Sequence, residues 1–231
     1  MPIIVFASPK GGAGKTTAAV ILASEIARKG TRVAIIDGDP RQRITRWAQK
    51  GSCPENFMIA SGITEETIID EIERCGQSAP FVIVDLEGTA SLTVAYAISR
   101  ADLVLIPSQG SQMDAEDAVD AIRLVRKQER AFRRKIPYAV LLTKTSAVIR
   151  PRTLRHVITQ LDEAGIPRLS TELIERDAFK AIFSFGGTLE SLDRSQVSGV
   201  RDAISNARAF AAEVVDRLRS GEGAPHVAEV A

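Results

Sequence analysis

Cysteine is nearly absent, since Cys53 and Cys75 are the only two in 231 residues. Their spacing matches neither a metal knuckle nor a disulfide framework, which suits a reducing cytoplasm and leaves both thiols chemically inert. An excess of either charge is missing too: 30 basic and 29 acidic residues give a net charge of +1, so net charge alone points to neither nucleic acid nor a membrane surface. No apolar run approaches the roughly 20 residues that span a bilayer. The chain enters an apolar strand directly at Ile3, with no basic segment leading into a long apolar one, so the sequence is expected to be neither secreted nor transmembrane. Internal repeats and an interdomain linker are also lacking. One folded unit in the cytoplasm is the expectation.

What is present is an apolar content of 45%, ample for one α/β core of this size. Short runs rich in Val, Ile and Leu occur at 3–7, 33–37, 81–85, 103–107 and 138–143 without polar alternation, as in strands buried on both faces of a parallel sheet. Amphipathic helical patterns lie between them at 16–29, 65–74, 92–100, 115–133 and 151–163, and a last helix covers about 200–218. Repeated strand–helix units predict an α/β fold with a doubly wound, mostly parallel sheet and helices on both faces. The expected domain covers 1–219. Residues 220–231, rich in Gly, Ala, Pro and Glu without periodicity, are expected to form a flexible tail.

The first strand runs into Lys10-Gly11-Gly12-Ala13-Gly14-Lys15-Thr16-Thr17, which opens the first helix. Glycines let backbone N–H groups converge on phosphate oxygens, and the helix N-terminus adds partial positive charge at the same point. Lys15 is placed to bridge β- and γ-phosphates, the Thr16 hydroxyl to reach Mg²⁺, and Thr17 to reach the α-phosphate. Asp37 and Asp39 end the second predicted strand, at the sheet edge where such folds place their chemistry. Four apolar residues lead to Asp85, a carboxylate at a buried strand end that can hold a magnesium water.

Pro9 occupies the place of the first glycine of the general phosphate loop and Lys10 follows it. In this the loop resembles the deviant Walker A sequence of the ParA/MinD family, K-G-G-x-G-K-[ST]-[ST]. The resemblance extends to Asp37-Gly38-Asp39-Pro40, to the strand ending Ile106-Pro107, and to a C-terminal block from Ile174 to Phe179 and Gly186 to Glu190, nearly the whole chain. It implies ATP rather than GTP, with Lys10 reaching the partner subunit's nucleotide in an ATP-sandwich homodimer. It also implies that Asp39 contacts the attacking water and Asp37 supports the magnesium shell. Two departures stand out. Leu86-Glu87-Gly88 replaces the usual x-P-P after the aspartate, and Thr143-Lys144 stands where the family uses Asn for adenine. Glu87 could orient water or a partner, or simply be a solvated loop acid.

Between Ile122 and Arg155 there are eleven basic residues and one acid, Glu129, so the rest of the chain is strongly acidic. Lys127, Arg130, Arg133, Arg134, Lys135, Arg150, Arg152 and Arg155 are the candidate contacts to a DNA backbone. Glu213, Asp216, Glu222 and Glu229, with little large apolar surface after Leu218, argue against a membrane-binding C-terminal helix. The length and the Asp85-Leu86-Glu87-Gly88 variant resemble the VirC-type branch of Agrobacterium tumour-inducing plasmids. That likeness implies work at transfer-DNA borders, with a relaxase and a secretion machine as partners. The different-class alternative is a P-loop ligase or kinase of the dethiobiotin synthetase type, phosphorylating a small acid.

Overall fold

The computed structural model describes residues 1–51, 53–88 and 91–220. Seven strands form one sheet: β1 (Ile3–Phe6), β2 (Val33–Gly38), β3 (Phe57–Ser61), β4 (Phe81–Leu86), β5 (Leu103–Ser108), β6 (Tyr138–Thr145) and β7 (Leu173–Ile174). Their order is β3-β2-β4-β1-β5-β6-β7, and every strand pair is parallel. The connecting helices are α1 (Lys15–Arg28), α2 (Arg43–Lys50), α3 (Ile68–Ser78), α4 (Leu92–Arg100), α5 (Gln112–Phe132), α6 (Arg152–Glu163), α7 (Asp177–Phe185) and α8 (Val200–Ser220).

Side chains alternate between the sheet's two faces, and each set finds its own helices. Ile4, Phe6, Val33, Ile35, Ile83 and Leu105 pack with residues of α1, α2, α7 and α8. Ile3, Val5, Ala34, Ile36, Val84 and Ile106 pack with α3, α4, α5 and α6. Because both faces are covered, the strands are apolar throughout, which is the signal the sequence carried. The first strand lies mid-sheet: the chain passes from it to β2 on one side, returns to β4 and crosses to β5 on the other. Its C-terminal end is therefore the switch point where ligands of such sheets bind.

Five of the strands and six of the helices lie within a few residues of the ranges expected from the sequence. The elements α2, β3, β7 and α7 have no counterpart among those expectations. Ser220 still belongs to α8, one residue past the expected domain end, and the rest of the expected tail, 221–231, lies outside the described residues.

Candidate functional site

The segment from Ser8 to Gly14 turns from β1 into α1, and its backbone explains its glycines. Gly12 sits at φ 82° and Gly14 at φ 98°, where a side chain would strain the chain. No side chain caps α1 at Gly14, so the first-turn N–H groups are free to face an anion. The loop's carbonyls, by contrast, are tied from outside. Gly12 O accepts from Gln109 Nε2 at 2.7 Å and from Lys144 Nζ at 2.8 Å, and Ala13 O accepts from Thr143 Oγ1 at 2.7 Å. With the carbonyls held outward, the N–H groups are presented to the cradle without reorganisation. None of these three donors was singled out from sequence for this purpose. Lys144 holds its place through a left-handed backbone, φ 53°, at a break in the β6–β7 register.

Lys15 is buried inside the loop and donates to Ser8 O and Lys10 O, both at 3.0 Å. Burial lowers its pKa, while the carboxylates of Asp85, Asp39 and Glu87 pull it back up. Lys10 points elsewhere. Its ammonium lies 2.6 Å from Asp114 Oδ1 at the start of α5.

Asp37 and Asp85 are register partners on the adjacent strands β2 and β4. Both are buried. Asp37 Oδ2 accepts from the Thr45 N–H and hydroxyl, each at 2.8 Å, but its Oδ1 and both Asp85 oxygens have no hydrogen-bond partner. Burial pushes the Asp85 carboxyl up to about 7, opposed by the Thr16 hydroxyl, which approaches without completing an ordinary hydrogen bond, and by Lys15. Two adjacent buried carboxylates with open lone pairs beside a threonine hydroxyl fit Mg²⁺, which takes one or two carboxylates and completes its shell with waters and phosphates. No group of three or more His, Cys, Asp or Glu side chains that could hold a metal ion occurs among the described residues. Asp39 turns toward its own loop, with Oδ1 accepting from Arg41 N at 2.8 Å and Oδ2 standing 3.3 Å from Arg43 Nε.

The basic residues read as one segment are divided by the fold. Arg123 to Arg130 descend α5, whose 21 residues span about 31 Å, toward the N-terminal edge of the sheet, where Arg133 to Lys135 follow. Arg150, Arg152 and Arg155 lie at the opposite edge, after β6 and at the start of α6, on the side of the phosphate loop. Several are already engaged: Arg123 with Asp120 at 2.8 Å, Arg150 with Glu172 at 2.7 Å, and Arg134 with the Ala101 carbonyl. Lys127, Arg130, Arg133, Lys135, Arg152 and Arg155 are exposed and form no ion pair among the described residues.

Fold and loop together define a P-loop protein of the ParA/MinD class. A family model described as VirC1 protein matches residues 1–219. A protein named ParA from Rhizobium radiobacter is 42% identical over 218 residues, covering 94% of this chain and 98% of its own. A virC1 protein from Rhizobium rhizogenes is 29% identical over 187 residues, covering 79% of this chain and 80% of its own. Among solved structures, an ATP complex of a McdA variant from Cyanothece shares the fold with a TM-score of 0.72 at 16% identity, covering 93% of this chain and 96% of that one. The chain belongs to the VirC1 family.

Proposed function

We propose that this protein is an ATP-dependent switch: it binds ATP with Mg²⁺, pairs with a second copy around the nucleotide, binds DNA, and resets by slow hydrolysis. The observation that carries the reading is the meeting of a lysine-bearing phosphate loop with the unpartnered carboxylate pair Asp37 and Asp85 at one sheet edge. In this reading the α1 N-terminus and the loop N–H groups hold the phosphates, and Lys15 exchanges two carbonyl partners for phosphate oxygens. Thr16, Asp37 and Asp85 would hold Mg²⁺, which when bound offsets charge on the phosphates. Asp39 would orient the attacking water once it leaves Arg41 and Arg43. Lys10 would serve the partner's nucleotide.

DNA contact would fall to the exposed cations of α5 and α6, through backbone phosphates. Family membership supports a role in handling plasmid or transfer DNA, with a relaxase and a secretion machine as candidate partners. Among the described residues no helix is long and apolar enough to cross a membrane. The small-molecule kinase alternative leaves both Lys10 and the basic clusters without a task.

The reading is tested by titrating a fluorescent ATP analogue with Mg²⁺ into the parent and Lys15→Ala. A drop in affinity of at least tenfold is expected, because the lost cation leaves phosphate charge unpaired. Equal affinity would sink it.

A further inference from the structure

The second helix, unnoticed in the sequence, is the most cationic short element of the chain. From Arg41 to Lys50 there are four basic residues and no acid. Arg43, Arg46 and Lys50 are spaced three and four apart, so they form one stripe along α2. That stripe faces α7 across a cleft of about 400 Å³ lined also by Thr16, Thr17, Phe179, Lys180 and Phe183. No carboxylate lines it. Arg46 forms no ion pair among the described residues, and Lys50 is spent only on the Phe183 carbonyl at 3.1 Å. A separate hollow of about 270 Å³ is lined by Gly51, Gly186 and Phe185, the last 59% exposed.

A cationic rim over an apolar floor is the anatomy of a protein-docking groove. Nucleic acid fits less well, because Trp47 and Phe179 are 1% and 5% exposed and the single half-buried ring of Phe183 makes no platform for successive bases. We propose that the α2–α7 groove docks an acidic segment of a protein partner, its carboxylates on Arg46, Lys50 and Lys180, which would exchange its 2.8 Å pair with Glu175, and an apolar side chain on the half-buried Phe183.

Such docking would be felt at the nucleotide site, because α2 is pinned at both ends. At its start Thr45 holds Asp37 through two bonds of 2.8 Å and Arg43 stands 3.3 Å from Asp39. Farther along, Trp47 Nε1 donates to Gly187 O at 2.9 Å. Past its end the chain crosses so closely that a Cβ on Gly186 would stand 2.7 Å from Gly51 N. A partner that moves α2 against α7 therefore moves the two acids assigned to magnesium and water. This consequence, though not the groove itself, rests on the ATPase reading.

The test uses the full chain with Mg²⁺ and ATP, and a fluorescein-labelled decapeptide of alternating Glu and Leu as the probe. Anisotropy should show binding to the parent, at least tenfold weaker binding to Arg46→Glu and to Lys180→Glu, and none of a Lys-Leu decapeptide. Equal binding by parent and both variants overturns the groove. So does a single-stranded oligonucleotide that binds the parent, fails with both variants, and is bound where the Glu-Leu peptide is not. Turnover of ATP, measured alongside, should change on adding peptide to the parent and stay constant in the variants. Peptide binding that leaves parent turnover unmoved contradicts the coupling while the docking stands. If turnover is absent but the peptide binds selectively, the ATPase reading has failed and the groove has not.

Discussion

Lys10 and Asp114, 104 positions apart in the chain, meet at 2.6 Å within one subunit. Asp114 is also the third residue of α5 and closes a capping box with Ser111, so the carboxylate that caps the helix is the one that holds the loop lysine. A lysine proposed to serve a partner's nucleotide is thus tied at home, and dimerisation must break or share that tie. Asp114→Ala should therefore lower the protein concentration needed for the ATP-dependent dimer several-fold, and Lys10→Ala should raise it, both with ATP affinity retained. Light scattering at graded concentration decides. Equal shifts in the same direction would mean that the pair only braces the fold.

The same pair carries a pH dependence. Burial alone would raise the Asp114 carboxyl, but hydrogen bonds from Lys10 and Ser111 outweigh it and hold the group below its ordinary value. A carboxylate depressed on folding contributes stability above its unfolded pKa and loses it as pH falls through the folded one. Urea melts of parent and Asp114→Asn should differ most near neutrality and converge as pH falls below the usual carboxylate range. A gap that stays constant down to acid pH contradicts the assignment.

Gln109 and Lys144 share the Gly12 carbonyl, at 2.7 and 2.8 Å. Losing either bond frees the loop peptide to turn its carbonyl toward the phosphate. Gln109→Ala and Lys144→Ala should each cost about 1 kcal/mol of nucleotide binding, or roughly fivefold in affinity, with thermal stability nearly unchanged. Calorimetry of both variants, alone and combined, checks this. Unaltered affinity in the double variant would leave the carbonyls' orientation to the glycines alone.

Gly88, in the stretch that departs from the family's usual sequence, lies against the entry to the phosphate loop. A Cβ there would stand 2.6 Å from Ser8 O and 2.7 Å from Pro9 O, both rigid backbone at the entry to the phosphate loop. Gly88→Ala should displace one segment from the other, costing about 1–3 kcal/mol of stability and weakening nucleotide binding. Denaturant midpoints and ATP affinity measured together would show it. A variant with parental values of both would mean that the loop yields freely.

Strands buried on both faces were legible in the sequence, and short elements such as β3 and α2 were not. Strands such as Val33–Gly38 and Phe81–Leu86 are apolar because helices cover both their faces, so composition alone marked them. Phe57–Ser61 lies at the sheet edge and is half-buried, and α2 buries only Ile44 and Trp47 among its cations, so neither gave a clear period. The phosphate loop and Asp85 could be read because their geometry is local to a strand end. Tertiary partners could not: nothing near Lys10 announces Asp114, and nothing near Gly12 announces Lys144. The run of cations from Arg123 to Arg155 looked like one footprint because sequence records adjacency along the chain. Strand β6, between Lys135 and Arg150, sets its members at opposite edges of the sheet.

Nucleotide state is expected to control DNA affinity, and retention of a labelled duplex by the full chain with Mg²⁺ and ATP, ADP or no nucleotide measures that control. With ATP, binding should be at least tenfold tighter than with ADP, because a dimer presents two sets of exposed cations. It should weaken steeply with salt, at a log–log slope of about −0.9 per phosphate contacted. Replacing Arg152 and Arg155 by alanine should flatten that slope while ATP binding persists. Retention that is the same in all three nucleotide states, or insensitive to salt, would contradict the account.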